Sequence, residues 1–201
     1  MNISSSRQSI RWPVVLGVFL VFLPHQAQAV SLSLSTTQID EALRYGQEAR
    51  TLPFAFFARE WRAEGMQGPG QRLGGTAWLQ SPFARVAHTG WTATHRGLAL
   101  NKTDLRRQLK QVGPRLAFAV TLVSPLEHDE TYQVSLHQAG EIIVPSHVES
   151  GQDVSGDEMA WVYLYCLFPA EQVDLQGTVI LVVTDPHGNQ LPFVFDLSRM
   201  R

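Results

Sequence analysis

The chain has 201 residues, 44% of them hydrophobic and 17% charged, with a formal net charge of −2 and one cysteine. A lone cysteine excludes an intramolecular disulfide, so stability has to come from an ordinary apolar core. Basic residues are dispersed and interleaved with acids, which argues against a nucleic-acid partner.

Residues 1–29 read as a secretory signal peptide. Arg7 and Arg11 form a positive start, Val14 to Leu23 an apolar core, and Ala27-Gln28-Ala29 a small-residue cleavage site. The apolar core is too short for a stable membrane anchor, and no later stretch is long and apolar enough to span a bilayer. The expected mature chain is therefore exported, to the periplasm or beyond, with no transmembrane segment.

The mature chain is electrically polar. From Val30 to Leu126 there are twelve Lys/Arg against six Asp/Glu, and from Glu127 to Arg201 two against twelve. Such a split, +6 against −10, is expected to draw two units together within one chain, or to pair copies head to tail.

In chain order, residues 30–35 alternate apolar and hydroxyl side chains, as an edge strand or an arm would. Thr36-Thr37 offers a helix N-cap, and Ile39, Ala42, Leu43, Gly46 and Ala49 share one face of the helix that follows. Residues 52–62 fit a helix or a short strand. A glycine-rich loop at 65–75 lacks the Gly-Lys-Ser/Thr ending of a phosphate cradle and reads as surface. Residues 76–80 are strand-like. Ser81 as N-cap, Pro82 at the first helical position and Gly97 as the stop bound a second helix whose apolar face is Phe83, Val86, Ala87, Gly90 and Trp91. A third, capped by Thr103, ends at Gly113-Pro114.

From Arg115 the apolar period changes to two. Strands are expected at about 115–124, 131–138, 141–148, 159–168, 177–184 and 191–197, joined by turns such as Ala139-Gly140 and 185–189. The fold class is therefore α+β: a small helical N-terminal unit, 30–113, packed on a C-terminal antiparallel β-sandwich, 114–201, of immunoglobulin-like type. Residues 149–158 are expected to be an acidic loop. Solvation explains that loop better than calcium does, because the EF-hand spacing is absent.

Three stretches, Ala42-Leu43-Arg44-Tyr45-Gly46, Ser81 to Ala87 and Phe193 to Arg199, together resemble a pattern in uncharacterised exported bacterial proteins with an immunoglobulin-like C-terminal half. The resemblance implies export and carries no activity.

Catalytic motifs are missing. His88 and His95 stand two helical turns apart, about 10 Å, too far for the pair alone to clasp a metal. His-Glu-x-x-His and Gly-x-Ser-x-Gly are absent. No cofactor, metal or catalytic residue is assigned. Cys166 lies on the aliphatic face of the 159–168 strand, as a buried inert thiol would.

The opposite face of that strand carries Trp161, Tyr163 and Tyr165, which have two possible uses. One is a recognition stripe, separate from the loops at one end of the sandwich, 149–158 with Asp153 and Asp157 and 185–189 with His187, which are also expected contacts. The other, which the charge split favours, is a joint against the helices, with Phe83 and Trp91 as partners. The expected role is a non-enzymatic binding or accessory module in the cell envelope, its partner another envelope protein. A hydrolase with its site in a cleft between the units and a head-to-tail structural protein are the rivals.

Overall fold

A computed structural model of the chain describes residues 30–66, 73–125, 131–155 and 159–201. The expected leader at 1–29, most of the glycine-rich loop, residues 126–130 and Asp157 lie outside the described residues. Helices and antiparallel strands are both present, as the α+β reading requires. Helices α1 (Thr36–Glu48), α2 (Phe54–Phe57), α3 (Pro82–Arg96) and α4 (Lys102–Val112) all come from the first half of the chain. Strands β1 (Arg62–Glu64) and β2 (Gly74–Leu79) belong to that half too. They are followed by β3 (Arg115–Pro125), β4 (Gln133–Gln138), β5 (Glu141–Ile143), β6 (His147–Ser155), β7 (Met159–Pro169), β8 (Thr178–Thr184) and β9 (Gln190–Asp196). No described helix is long and apolar enough to cross a membrane.

The strands form two sheets, sheet A in the order β1-β2-β3-β7-β6 and sheet B in the order β5-β4-β8-β9. Every pairing in both is antiparallel. The β3–β7 ladder is the spine, running in register from Arg115↔Pro169 to Pro125↔Met159. Period-two alternation sends Phe118, Val120 and Leu122 inward with Val162, Leu164, Cys166 and Phe168, all buried. Across the interior they meet sheet B, where the ring of Phe118 lies 5.1 Å from that of Phe195; within sheet A it lies 5.8 Å from that of Phe168.

The helices gather at one end of the two sheets, where β2 and β9 finish and β3 begins. Their attachment is chemically specific. Trp61 Nε1 donates to the main-chain oxygen of Arg201 at 3.1 Å, and the buried Ser81 hydroxyl, which also caps α3, donates to the same oxygen. The Arg201 guanidinium lies over the rings of Tyr45 and Phe83, 5.3 and 5.1 Å from their centroids, and faces Glu41 and Glu60. Residues from α1, the 58–61 turn and α3 thus close on one side chain, that of Arg201, which follows β9. Burial beside Glu60 raises the pKa of Tyr45, consistent with its hydroxyl donating to that carboxylate.

Several local expectations change. Ser35, not the Thr36-Thr37 pair, caps α1, in a reciprocal box with Gln38. Asn101, not Thr103, caps α4 through the amides of Thr103 and Asp104. Residues 54–61 form a helical turn running into a 3-10 turn. Strand β2, from before residue 113, pairs with β3, from after it, over six residues. The acidic loop expected at 149–158 is strand as far as Ser155. Pro145 follows the end of β5, and the chain then re-pairs along the free side of β7. Polar residues with little intrinsic preference for a strand become one because β7 offers eleven residues of ladder.

Helices α1 and α3 cross where glycine meets backbone. A Cβ at Gly46 would stand 1.9 Å from the carbonyl oxygen of Ala87, and one at Gly90 2.6 Å from that of Leu43. Neither neighbour can swing away, as a flexible side chain would. Gly46→Ala is therefore expected to lower unfolding free energy by about 3 kcal/mol. Gly151→Ala, where nothing lies within 4 Å, should stay within about 0.5 kcal/mol. Urea denaturation of the two variants against the parent chain measures both.

Candidate functional site

The outer face of sheet A is built by the same alternation that builds the core. If the even residues of β7 from Val162 to Phe168 face inward, Trp161, Tyr163 and Tyr165 must face outward, about 6.7 Å apart along the strand. They are not the joint to the helices. Trp161 is 41% exposed and Tyr163 46%, with Tyr165 half-buried beside them. The expectation that Trp161 and Tyr163 pack with Phe83 and Trp91 fails because the aromatic residues of the first half satisfy one another. Trp91 stacks on Phe57 at 5.8 Å, and Tyr45 packs edge-on against Trp61 and Phe83 at 5.9 and 6.2 Å. That cluster needs no ring from β7.

Three rows cross this outer face. Asp153 on β6 stands opposite Trp161, which pairs with Val123 on β3 and then Gly74 on β2. Gly151 stands opposite Tyr163, followed by Thr121, Thr76 and Glu64. Glu149 stands opposite Tyr165, followed by Ala119, Trp78 and Arg62. Small side chains on β3 thus form a low floor, with aromatic rings on β7 to one side and Trp78 to the other. Carboxylates line the outer border on β6. On the far border Arg62 and Glu64 pair at 2.6 Å.

Phe54 of α2 closes the Trp78 side, its ring 4.3 Å from the indole. A depression of about 280 Å³ opens there, lined by Phe54, Ala55, Arg62, Thr76, Trp78, Ala119 and Thr121. Beneath it the indole Nε1 of Trp78 is buried without a hydrogen-bond partner. His88 packs against both rings, at 5.3 Å from Phe54 and 5.4 Å from Trp78. Burial, and then the charge of Arg96, lowers its pKa.

Of the six residues singled out in the sequence, Asp157 lies outside the described residues and the other five separate. Asp153 joins Trp161, Tyr163 and Tyr165 on one face, as a strand residue rather than a loop ligand. His187 sits in the β8–β9 turn of sheet B, where its amide is held by the Asp185 carboxylate. Glu149, which the sequence places in an acidic contact loop, joins the face as a strand residue. Trp78, Thr121 and Phe54 complete the face and were not identified from the sequence: the register across β6, β7, β3 and β2 brings in the first two, and the packing of α2 on Trp78 brings in Phe54.

A second cleft, of about 620 Å³, lies between the 30–35 arm and α4, floored by Leu32, Leu34, Ile39 and Leu109 and bordered by Arg106 and Lys110. Among the described residues no group of three or more His, Cys, Asp or Glu side chains is placed to hold a metal ion. Comparison with protein-family models, with curated proteins and with solved structures finds no match.

Cys166 is fully buried on the inner face, and burial pushes its thiol pKa up to about 12. The thiolate is the reactive form, so the native chain should resist alkylation by iodoacetamide at pH 8 and label only once unfolded in urea. Mass spectrometry of both samples checks this. Rapid labelling of the native chain would place the thiol at the surface.

Proposed function

We propose that this chain is a non-enzymatic binding module of the cell envelope, exported by its leader, whose contact surface is the outer face of sheet A. The partner is another envelope protein. One observation carries the reading: Trp161 and Tyr163 stand side by side in solvent on a central strand, with Asp153 opposite Trp161 and Glu149 opposite the neighbouring Tyr165 on β6. Aromatic side chains offer large contact area for little lost rotamer freedom, and they concentrate at protein interfaces. A strand held between β3 and β6 presents them without a cost of ordering.

The frame we propose is of immunoglobulin-like type. Reading β2, β3, β7 and β6 as A, B, E and D, and β5, β4, β8 and β9 as C′, C, F and G, reproduces the strand neighbours of that architecture. The absence of an inter-sheet disulfide is no obstacle, since Phe118, Phe168 and Phe195 fill the space between the sheets.

The test is a photo-crosslinking amino acid placed at position 163, and separately at Val194 on the outer face of sheet B, in cells expressing the full chain. A discrete adduct is expected from 163 and none from 194, and Trp161→Ala should diminish it at least about tenfold. Equal adducts from both positions, or none from 163, would contradict the reading. Trp161→Ala itself should change unfolding free energy by less than about 1 kcal/mol, since the ring is not in the core.

A further inference from the structure

Two sheets have four edges, and in this fold three are protected. The outer strands β1 and β9 lie against each other, joined by the Met66 amide donating to the Pro192 carbonyl at 3.0 Å. The β5 edge is only three residues long. The fourth, β6, runs for nine residues from His147 to Ser155, and no described strand pairs with its far side. Alternate N–H and C=O groups of an edge strand face away from its neighbour and need a partner. Edges are ordinarily blunted by proline, lysine, a bulge or shortness. β6 contains neither proline nor lysine, and its register with β7 is unbroken over all nine residues. Every side chain from His147 to Asp153 is exposed.

Charge decides what can dock there. Glu149 and Asp153 point to the outer face two positions either side of Gly151. A second copy pairing antiparallel about Gly151 would set Glu149 against Asp153 of the other copy, twice. A parallel in-register pairing would set each carboxylate against itself. Like charges directly opposite destabilise a sheet, so β6 is guarded against its own kind. An incoming strand with Lys or Arg at those positions would instead neutralise both carboxylates. Its long side chains would lie over the border toward Tyr165 and Trp161, where a cation meets ring faces. On the other side of the strand Val148, which shares the inward positions with Ser150 and Gln152, stays 40% exposed, with no described strand beyond it. It calls for an apolar neighbour.

We infer that β6 is an acceptor for an extended segment of a partner polypeptide, basic on its outward positions and apolar on its inward ones, which joins sheet A as a sixth strand. This rests on the reading of sheet A as a binding surface and specifies how the partner engages it.

The probe is a decapeptide of alternating lysine and valine, titrated against the full chain by calorimetry, with amide hydrogen exchange recorded on the complex. Binding with new protection confined to alternate amides of residues 147–155 is expected. A glutamate–valine decapeptide should not bind. N-methylation of the lysine–valine peptide on its edge-facing amides should weaken binding about tenfold or more. The Glu149→Lys/Asp153→Lys chain, altered only at exposed positions, should exchange the two preferences. No binding of the lysine–valine peptide, equal binding of both peptides, or indifference to N-methylation would overturn the inference. Adding Trp161→Ala separates the two claims. Affinity that falls with Trp161→Ala but ignores N-methylation leaves the aromatic face standing and removes the strand acceptor. Affinity that depends on N-methylation but not on Trp161 does the reverse.

Discussion

The long ladder between β3 and β7 is the constraint on which the rest of this structure depends. Eleven paired residues fix which side of β7 turns inward, and a one-residue slip would exchange the core for the aromatic face. Phe118, Cys166, Phe168 and Phe195 are the reason it does not slip. Each inward residue is buried among others that would lose their contacts together. The outward positions are a consequence of that burial, so Trp161 and Tyr163 are held in place by residues they never touch. A surface of this kind is stiff because its orientation is decided in the core.

The helices solve a separate problem. Tyr45, Phe57, Trp61, Phe83 and Trp91 form an aromatic cluster of their own, and Arg201 fastens it to the end of β9 through two rings, two carboxylates and two donors to its main-chain oxygen. Because that cluster is complete, it leaves the outer face of sheet A largely uncovered. Phe54 of α2 reaches across to Trp78, where His88 of α3 also packs, and with Ala55 it lines the depression beside β3. The charge split drew attention to docking of the two halves. What joins them is instead shared sheet, β2 on β3, together with the Arg201 contacts.

Local chemistry was readable wherever it depended on near neighbours in sequence. Ser81-Pro82 and Gly97 mark both ends of α3, and the period of two after Arg115 marks most of the strands, because cap bonds and alternating burial are written into adjacent residues. The apolar face of β7 was readable for the same reason, and with it the burial of Cys166. What could not be read depends on residues far apart. β6 has a polar sequence and becomes a strand because β7 is there to pair with. The rows that bring Glu149 to Tyr165 and Trp78 to Ala119 require a register across four strands, which no single stretch contains. The destination of the aromatic stripe turned on whether Trp91 and Phe83 already had partners, and that is a property of the assembled helices.

The central claim is that β7 divides its labour, one face holding the fold and the other left open to solvent for recognition. Hydroxyl-radical footprinting of the full native chain, read by mass spectrometry, tests it most directly. Trp161 and Tyr163 should oxidise rapidly, while Trp61 and Phe168 stay protected until the chain unfolds. Protection of Trp161 and Tyr163 equal to that of Trp61 would contradict the account and return these rings to the interior.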